Sequence, residues 1–291
     1  MNLKKQSIVV TGASGQLGRE LCRQLGPAAV PLHREQADLS RPADLRRTFN
    51  NIPAEVVINC AGWTDVDAAE VSPEDCCVIN DEAVHELALI CNKLDATFVQ
   101  LSTDYVFGAD TRRTSPYCED DCVGPINQYG NSKLAGEKSA SRANHSLVVR
   151  TCGLYATNAR APLRSRNFAN TMLSLSEKRD SIRVVGDQQC TPSYVPHVAK
   201  GILELLAAQA TGIYHVVNDG SASWYDFACE LFLAADRKVS VSRITTSEYP
   251  AVAQRPLYSV LDTTKFTSVV GHSLPGWRSG IFEYIQSLQT R

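Results

Sequence analysis

The sequence predicts an α/β fold, a doubly wound parallel sheet followed by a smaller C-terminal α/β lobe. Three observations carry this. Short β-branched runs alternate with amphipathic helical stretches through the first half of the chain. Those runs are apolar throughout rather than alternating with polar residues, which marks strands covered on both faces. A glycine-rich turn joins the first run to the first helix, the place where such sheets bind ligands.

The elements follow in order. Residues 7–11, SIVVT, form the first strand, and QLGRELCRQL after it sets Leu17, Leu21 and Leu25 at helical spacing. EVVINCA, from Glu55, is the next clear strand. The pattern of Ala83, Val84, Leu87, Ala88, Cys91 and Leu94 is a helix, and TFVQLS, from Thr97, a strand. A helix around Tyr129 and the strand SLVVRT, from Ser146, complete the alternation. Beyond Thr151 it weakens. CGLYATNARAPLRSRN reads as a basic, irregular loop; a helix from Asn167 carries Phe168, Met172 and Leu175; IRVV, from Ile182, is a strand; Val198, Ile202 and Leu205 lie on one helix; and GIYHVV, from Gly212, is another strand. Ser223 caps an amphipathic helix through WYDFACELF, with Asp226 where the full capping box has Glu or Gln. The predicted division is a dinucleotide-binding domain over residues 1–155, with later strand and helix contributions from about 190–218, and a mainly substrate-binding lobe over 156–291.

With 291 residues and 44% hydrophobic content, the chain can bury a substantial core. A net charge of −2 with no long basic run excludes a nucleic-acid or anionic-membrane footprint. Neither a signal-peptide core nor a membrane-length apolar stretch is present, so the expected location is the cytoplasm. The ten cysteines are scattered through strands and helices of a chain too large to need staples, and read as buried thiols. CEDDC, with Cys118 and Cys122, has no accompanying histidine or CxxC pair, and no metal site is predicted.

TGASGQLG, from Thr11 to Gly18, is where a Rossmann-type sheet holds a pyrophosphate. Gly12 permits the tight turn, Gly15 lets backbone approach phosphate, and Gly18 lets the helix pack close. The spacing is GxxGxxG rather than GxGxxG, so the strand before it and the helix after it carry much of the weight. The cofactor is NADPH or NADH. VPLHREQADLS offers His33, Arg34 and Glu35 together, which points both ways, and Asp38 is a candidate for the adenine or ribose end, or a helix N-terminal acid.

Tyr129 and Lys133, four apart in NQYGNSKLAGE, share a helix face. A phenol of pKa about 10 exchanges protons poorly at neutral pH. A nearby ammonium and a cationic nicotinamide are expected to lower it, giving a proton donor suited to a carbonyl that receives a hydride. Ser102 and Thr103 in LSTDYVFG place hydroxyls at a strand end, where Thr103 can bond the same oxygen or cap the following turn.

The ordered set TGASGQLG, NCAGWTDVDAAE, STDYVFG, YGNSKLAGE and the Arg150–Thr151 pair resembles the extended short-chain dehydrogenase/reductase family. NFANTML, VVGDQQCTPSYV, GIYHVVNDGSASWYDFA and RPLYSVLDTTK narrow the resemblance to its dTDP-4-dehydrorhamnose reductase branch over nearly the whole chain. The resemblance implies NAD(P)H-dependent reduction at C4 of a nucleotide-linked 4-keto-6-deoxy sugar, giving dTDP-L-rhamnose. In it Tyr129 protonates the oxygen, Lys133 holds the nicotinamide ribose, and Thr103 orients the carbonyl. It assigns Gly12, Gly15, Gln16 and Leu17 to the pyrophosphate turn, Asp38 and Leu39 to the adenine side, and Ala61, Gly62 and Trp63 to the cofactor loop after the fourth strand. Val66, Asp67, Asp104, Asn167 and Arg255 fall on the substrate side.

The branch usually continues the Arg-Thr pair with a serine and a tryptophan that packs on the sugar; here Cys152 and Gly153 stand there. Arg160, Arg164 and Arg166 are candidates for the substrate diphosphate, or a solvated loop. Partners are a nucleotide sugar and, as an open possibility, a second copy in a homodimer, with no nucleic acid or membrane. The alternatives are an epimerase or dehydratase of the wider family, or a non-catalytic NADP-binding subunit like that of methionine adenosyltransferase. Asp104 without a following Glu counts against a dehydratase.

Overall fold

The computed structural model describes residues 1–157 and 167–289. Its centre is a six-stranded sheet of β1 (Ile8–Thr11), β2 (Ala29–Leu32), β3 (Val56–Asn59), β4 (Thr97–Thr103), β5 (Ser146–Thr151) and Gly212–His215. They lie in the order β2, β1, β3, β4, β5, Gly212–His215, with every neighbouring pair parallel. The chain steps from β1 outward to β2, then returns to the other side of β1 for β3. That reversal opens a crevice beyond the carboxyl ends of β1 and β3, where open α/β sheets bind their ligands. Among the described residues no further strand forms outside β2, so the Ala61–Gly62–Trp63 loop follows the third strand, not the fourth.

The helices of this part are α1 (Gln16–Leu25), α2 (Pro42–Phe49), α3 (Val66–Val71), α4 (Pro73–Cys77), α5 (Ala83–Leu94) and α6 (Gln128–Ala140). The apolar strands explain the two-sided covering. Ile8 and Val10 face Leu17, Leu21 and Leu25 of α1 on one side, while Val9 and Val57 face Leu45, Leu87 and Ala140 on the other. The helix Val195–Ala207 also joins the first face, through Val198, Ile202 and Leu205. Between α4 and α5 the chain makes a wider π-helical turn, Val78–Glu82, which holds Asn80 fully buried.

The C-terminal lobe has its own core. Helices Phe168–Ser176, Trp224–Ala234 and Trp277–Gln289 pack around the parallel pair Ser181–Val185 and Ser240–Ile244 through Met172, Phe227, Leu231 and Tyr284. Asp226 closes the capping box that the sequence left incomplete: its backbone N–H donates to Ser223 Oγ at 3.1 Å and its carboxylate accepts from the Ser223 N–H at 3.2 Å. The shorter acid suffices because the Ser223 hydroxyl also donates to that carboxylate, drawing the two side chains together. No helix among the described residues is long and apolar enough to cross a membrane.

Candidate active site

One cleft of about 740 Å³ runs from the glycine turn along the carboxyl ends of β1, β3 and β4 to the C-terminal lobe. Gly12 forms its near end, at φ +63°, and a Cβ there would lie 2.6 Å from the Ala61 backbone nitrogen. Only glycine takes that conformation without cost while letting two loops meet so closely. Gly15 N-caps α1 without a side chain, which leaves the first-turn N–H groups of Gln16 and Leu17 facing the cleft as an anion cradle. The side chain of Leu17 is in the core, so its contribution is backbone. Gly18 is needed where α1 crosses the Gly12 carbonyl, which an added Cβ would overlap. It therefore serves the turn rather than the sheet behind it.

At the next bend Arg34, Asp38 and Leu39 line the cleft. Asp38 Oδ1 accepts from the Ser40 N–H at 3.0 Å and the Ser40 hydroxyl at 2.8 Å, and lies 3.5 Å from Arg34 Nε. Burial pushes its carboxyl up, but Ser40 and Arg34 hold it below the usual value. Asp38 orders the Ser40 turn; α2 begins only at Pro42. Arg19, one turn into α1, lines the same cleft, a second cation that the sequence reading passed over.

Beneath the cleft a buried hydrogen-bond line crosses three strands. Thr11 Oγ1 donates to Asn59 Oδ1 at 2.6 Å, Asn59 Nδ2 to Gln100 Oε1 at 2.8 Å, and Gln100 Nε2 to the Leu101 carbonyl at 2.7 Å. The Lys133 ammonium donates to that same carbonyl at 2.6 Å. Lys133 is buried, and burial lowers its pKa to about 8, against the pull of Glu137 one turn along α6.

Tyr129 stands a turn before Lys133 because Asn127 caps α6, its Oδ1 accepting from the Gly130 N–H at 2.7 Å. Ser132, between them, donates to the Tyr129 carbonyl at 2.8 Å and accepts from Asn80 Nδ2 at 2.9 Å. Asn80 Oδ1 accepts from the Trp63 N–H at 2.9 Å, so one buried amide fixes both α6 and the Ala61–Trp63 loop. Nothing in the sequence marks Asn80, because its role depends on the π-helical turn. The expected lowering of the Tyr129 phenol is not found in the protein alone. Burial pushes it up, Thr103 beside it pulls it back, and the Lys133 ammonium donates to the Leu101 carbonyl.

Thr103 lies at the end of β4. Its hydroxyl caps the next turn by accepting from the Tyr105 N–H at 3.2 Å, and donates to Asp104 Oδ1 at 3.1 Å. The capping role of Thr103 is thus present, and the residue also lines the cleft with Tyr129 and Lys133. Asp104 is buried and accepts further bonds from Ser259 Oγ at 2.6 Å and Cys152 Sγ at 3.1 Å. Burial raises its carboxyl, and these three donors oppose the rise.

The sequence of this chain matches the RmlD substrate binding domain model over residues 6–290. The chain belongs to that family. It is 39% identical to a dTDP-4-dehydrorhamnose reductase of Burkholderia thailandensis, across 94% of this chain and 96% of that one. It is 35% identical to the spore coat polysaccharide biosynthesis protein SpsK of Bacillus subtilis, across 96% of each. Its fold superposes on the crystal structure of dTDP-4-dehydrorhamnose reductase from Bacillus anthracis in complex with NADP with a TM-score of 0.91, at 34% identity and covering 97% and 99% of the two chains.

In this RmlD-family chain Ala61, Gly62 and Val66 line the cleft with the residues above, whereas five sequence candidates, Gly18 and the four that follow, stand off its walls. Trp63 turns its indole N–H to the Asp65 carbonyl at 2.8 Å. Asp67 and Arg255 form a two-bond ion pair at 2.7 and 2.8 Å, and Asp67 also accepts from the Val252 and Ala253 N–H groups. The Arg255 guanidinium, with those amides, brings the Asp67 carboxyl down to about 2. Asn167 caps the helix Phe168–Ser176 and donates to Gln16 Oε1 at 2.8 Å, tying the lobe to the glycine turn. Arg160, Arg164 and Arg166 lie outside the described residues. At the CEDDC segment Asp121 pairs with Arg113 at 2.6 Å and accepts from the Cys118 N–H at 2.9 Å. The sequence reading also missed Trp224, which it treated only as the start of an amphipathic helix and which reaches the cleft from the C-terminal lobe.

Proposed function

We propose that this chain reduces the C4 ketone of dTDP-4-dehydrorhamnose to dTDP-L-rhamnose with NADPH as the preferred cofactor. The observation that carries the reading is the convergence of Thr103, Tyr129 and Lys133 on one cleft that ends at the Gly12 turn, in a chain of the RmlD family. The bound nicotinamide supplies the hydride. Tyr129 donates a proton to the carbonyl oxygen, its phenol held in the protonated form by burial. Thr103 orients that oxygen, and Lys133 holds the nicotinamide end from the cleft floor. Gly12, Gly15, Gln16 and Leu17 hold the pyrophosphate, and Asp38 and Leu39 the adenosine. In this reading residues 1–155, with the strand Gly212–His215 and the helix Val195–Ala207, form the cofactor part, the remainder forms the substrate lobe, and the reaction takes place in the cytoplasm.

The test is loss of NADPH absorbance when the purified chain meets dTDP-4-dehydrorhamnose made in the same vessel from dTDP-glucose. Turnover on the order of 1 to 10³ s⁻¹ is expected. Tight NADPH binding with no turnover would overturn the proposed reaction.

The preference for NADPH rests on Arg34, whose side chain is 75% exposed at the adenosine end. A guanidinium there matches a 2'-phosphate in charge and geometry. Arg34→Ala is expected to raise the KM for NADPH roughly tenfold while leaving that for NADH unchanged, the size expected of one charge-assisted bond. Equal changes in the two constants would remove Arg34 from cofactor choice.

A further inference from the structure

Among the described residues, three aromatic side chains line the cleft: Tyr105, Tyr129 and Trp224. Tyr105 is turned onto Tyr129, edge to ring at 5.9 Å, which leaves Trp224 as the one aromatic of the three not held by another of them. Trp224 is half-buried at the first turn of Trp224–Ala234, and its far side is fixed. Its ring lies 4.7 Å from that of Phe168 and 6.3 Å, edge to face, from that of Phe227.

Gly153 is what lets the indole reach the cleft. It sits at φ +51°, and a Cβ there would lie 3.0 Å from Trp224 Cη2 and 3.2 Å from Pro192 Cα. The bare backbone and the indole therefore share one place. Gly153 follows Cys152, whose thiol donates to Asp104, which in turn accepts from Thr103. This chain of contacts sets Trp224 at the Thr103 end of the cleft, away from the Arg34 end. A 6-deoxy sugar presents C–H groups and a methyl there, a surface that a flat indole covers well.

We propose that the indole of Trp224 packs on the deoxysugar ring and is a specificity-determining residue, with Gly153 the gap that admits it. The inference rests on the ketosugar-reductase reading above. It makes the C-terminal lobe the supplier of an aromatic wall that the segment at Cys152 and Gly153 does not provide.

The experiment compares Trp224→Phe with Trp224→Leu. Leucine keeps apolar bulk against Phe168 but removes the flat face. For each variant the KM and kcat for dTDP-4-dehydrorhamnose are measured, with the Kd values of NADPH and of dTDP alone. The expected result is a KM raised about tenfold or more in Trp224→Leu and largely restored in Trp224→Phe, with both Kd values unchanged. Like KM values in the two variants and the parent would overturn the proposal. An equal loss of dTDP affinity would overturn it too, by placing the indole on the base, as would an equal loss of NADPH affinity, the mark of a structural role. Failure of the parent chain to turn over the ketosugar would instead fell the underlying reading, so the two failures are told apart.

Discussion

Tyr129→Phe lowers kcat by roughly 10² to 10⁴ and leaves the Kd of NADPH unchanged, the expected weight of one general acid. The substitution removes only the hydroxyl. The ring stays seated against Tyr105, and the α6 cap at Asn127 does not involve the Tyr129 side chain. The cofactor cradle at Gly12 and the first turn of α1 shares no hydrogen bond with the phenol, so binding and turnover separate. In energy the loss corresponds to about 3 to 5.5 kcal/mol of barrier. Steady-state kinetics with a parallel NADPH titration decide it. An undiminished kcat would take Tyr129 out of the proposed chemistry, and a matching fall in cofactor affinity would show that the phenol had been holding the cofactor.

The reason Tyr129 could be singled out from sequence also shows where such reading stops. Strand, glycine turn and helix are local patterns with fixed spacing, and so is a tyrosine four residues before a lysine. Each survives translation into three dimensions because a helix or strand fixes what lies three or four positions away. The order of the strands was legible only as a class; that the cofactor loop follows the third strand, β3, is visible only in the folded sheet. Asp67 and Arg255, 188 positions apart, are put on the substrate side by the family resemblance, and in the structure they pair with each other. Asn80 and Trp224 were invisible as site residues for the opposite reason: one works through a π-helical turn and the other through a space left by Gly153. The depressed tyrosine pKa, argued from the Lys133 ammonium and a cationic nicotinamide, is not produced by the protein's own groups, because sequence carries no burial, and burial is the largest influence on both Tyr129 and Lys133.

Arg150→Met is the second large effect, and it falls on stability. Arg150 and Glu137 are 2% and 4% exposed and meet through two bonds of 2.8 Å, from Nε and Nη2 to the two carboxylate oxygens. Ser102 Oγ adds a third donor to Glu137 at 2.6 Å, while Arg150 Nη1 donates to the Glu119 carbonyl at 3.3 Å and faces His215 Nε2 at 3.5 Å. His215 Nδ1 lies 3.0 Å from the Asp262 carbonyl, so the proton is on Nδ1 and Nε2 is left to accept from Arg150. Burial, with the Arg150 charge beside it, brings that imidazole down to about 3, so it stays neutral and leaves the ion pair undisturbed. Methionine fills similar volume but strands the Glu137 carboxylate, and an uncompensated buried charge costs about 3 to 5 kcal/mol. The double variant Arg150→Met, Glu137→Leu removes both charges and is expected to recover most of that loss in urea denaturation, because the pair itself contributes little net stability. A single variant as stable as the parent would show that water reaches Glu137. The pair joins β5 to α6, with Ser102 of β4 as the third point, so it holds the strand end bearing Thr103 against the helix bearing Tyr129 and Lys133. The single variant, even where it stays folded, should therefore lose kcat, whereas the double variant can regain stability without regaining turnover. That divergence would show that the buried charges are kept for the alignment of the cleft rather than for the energy of the fold.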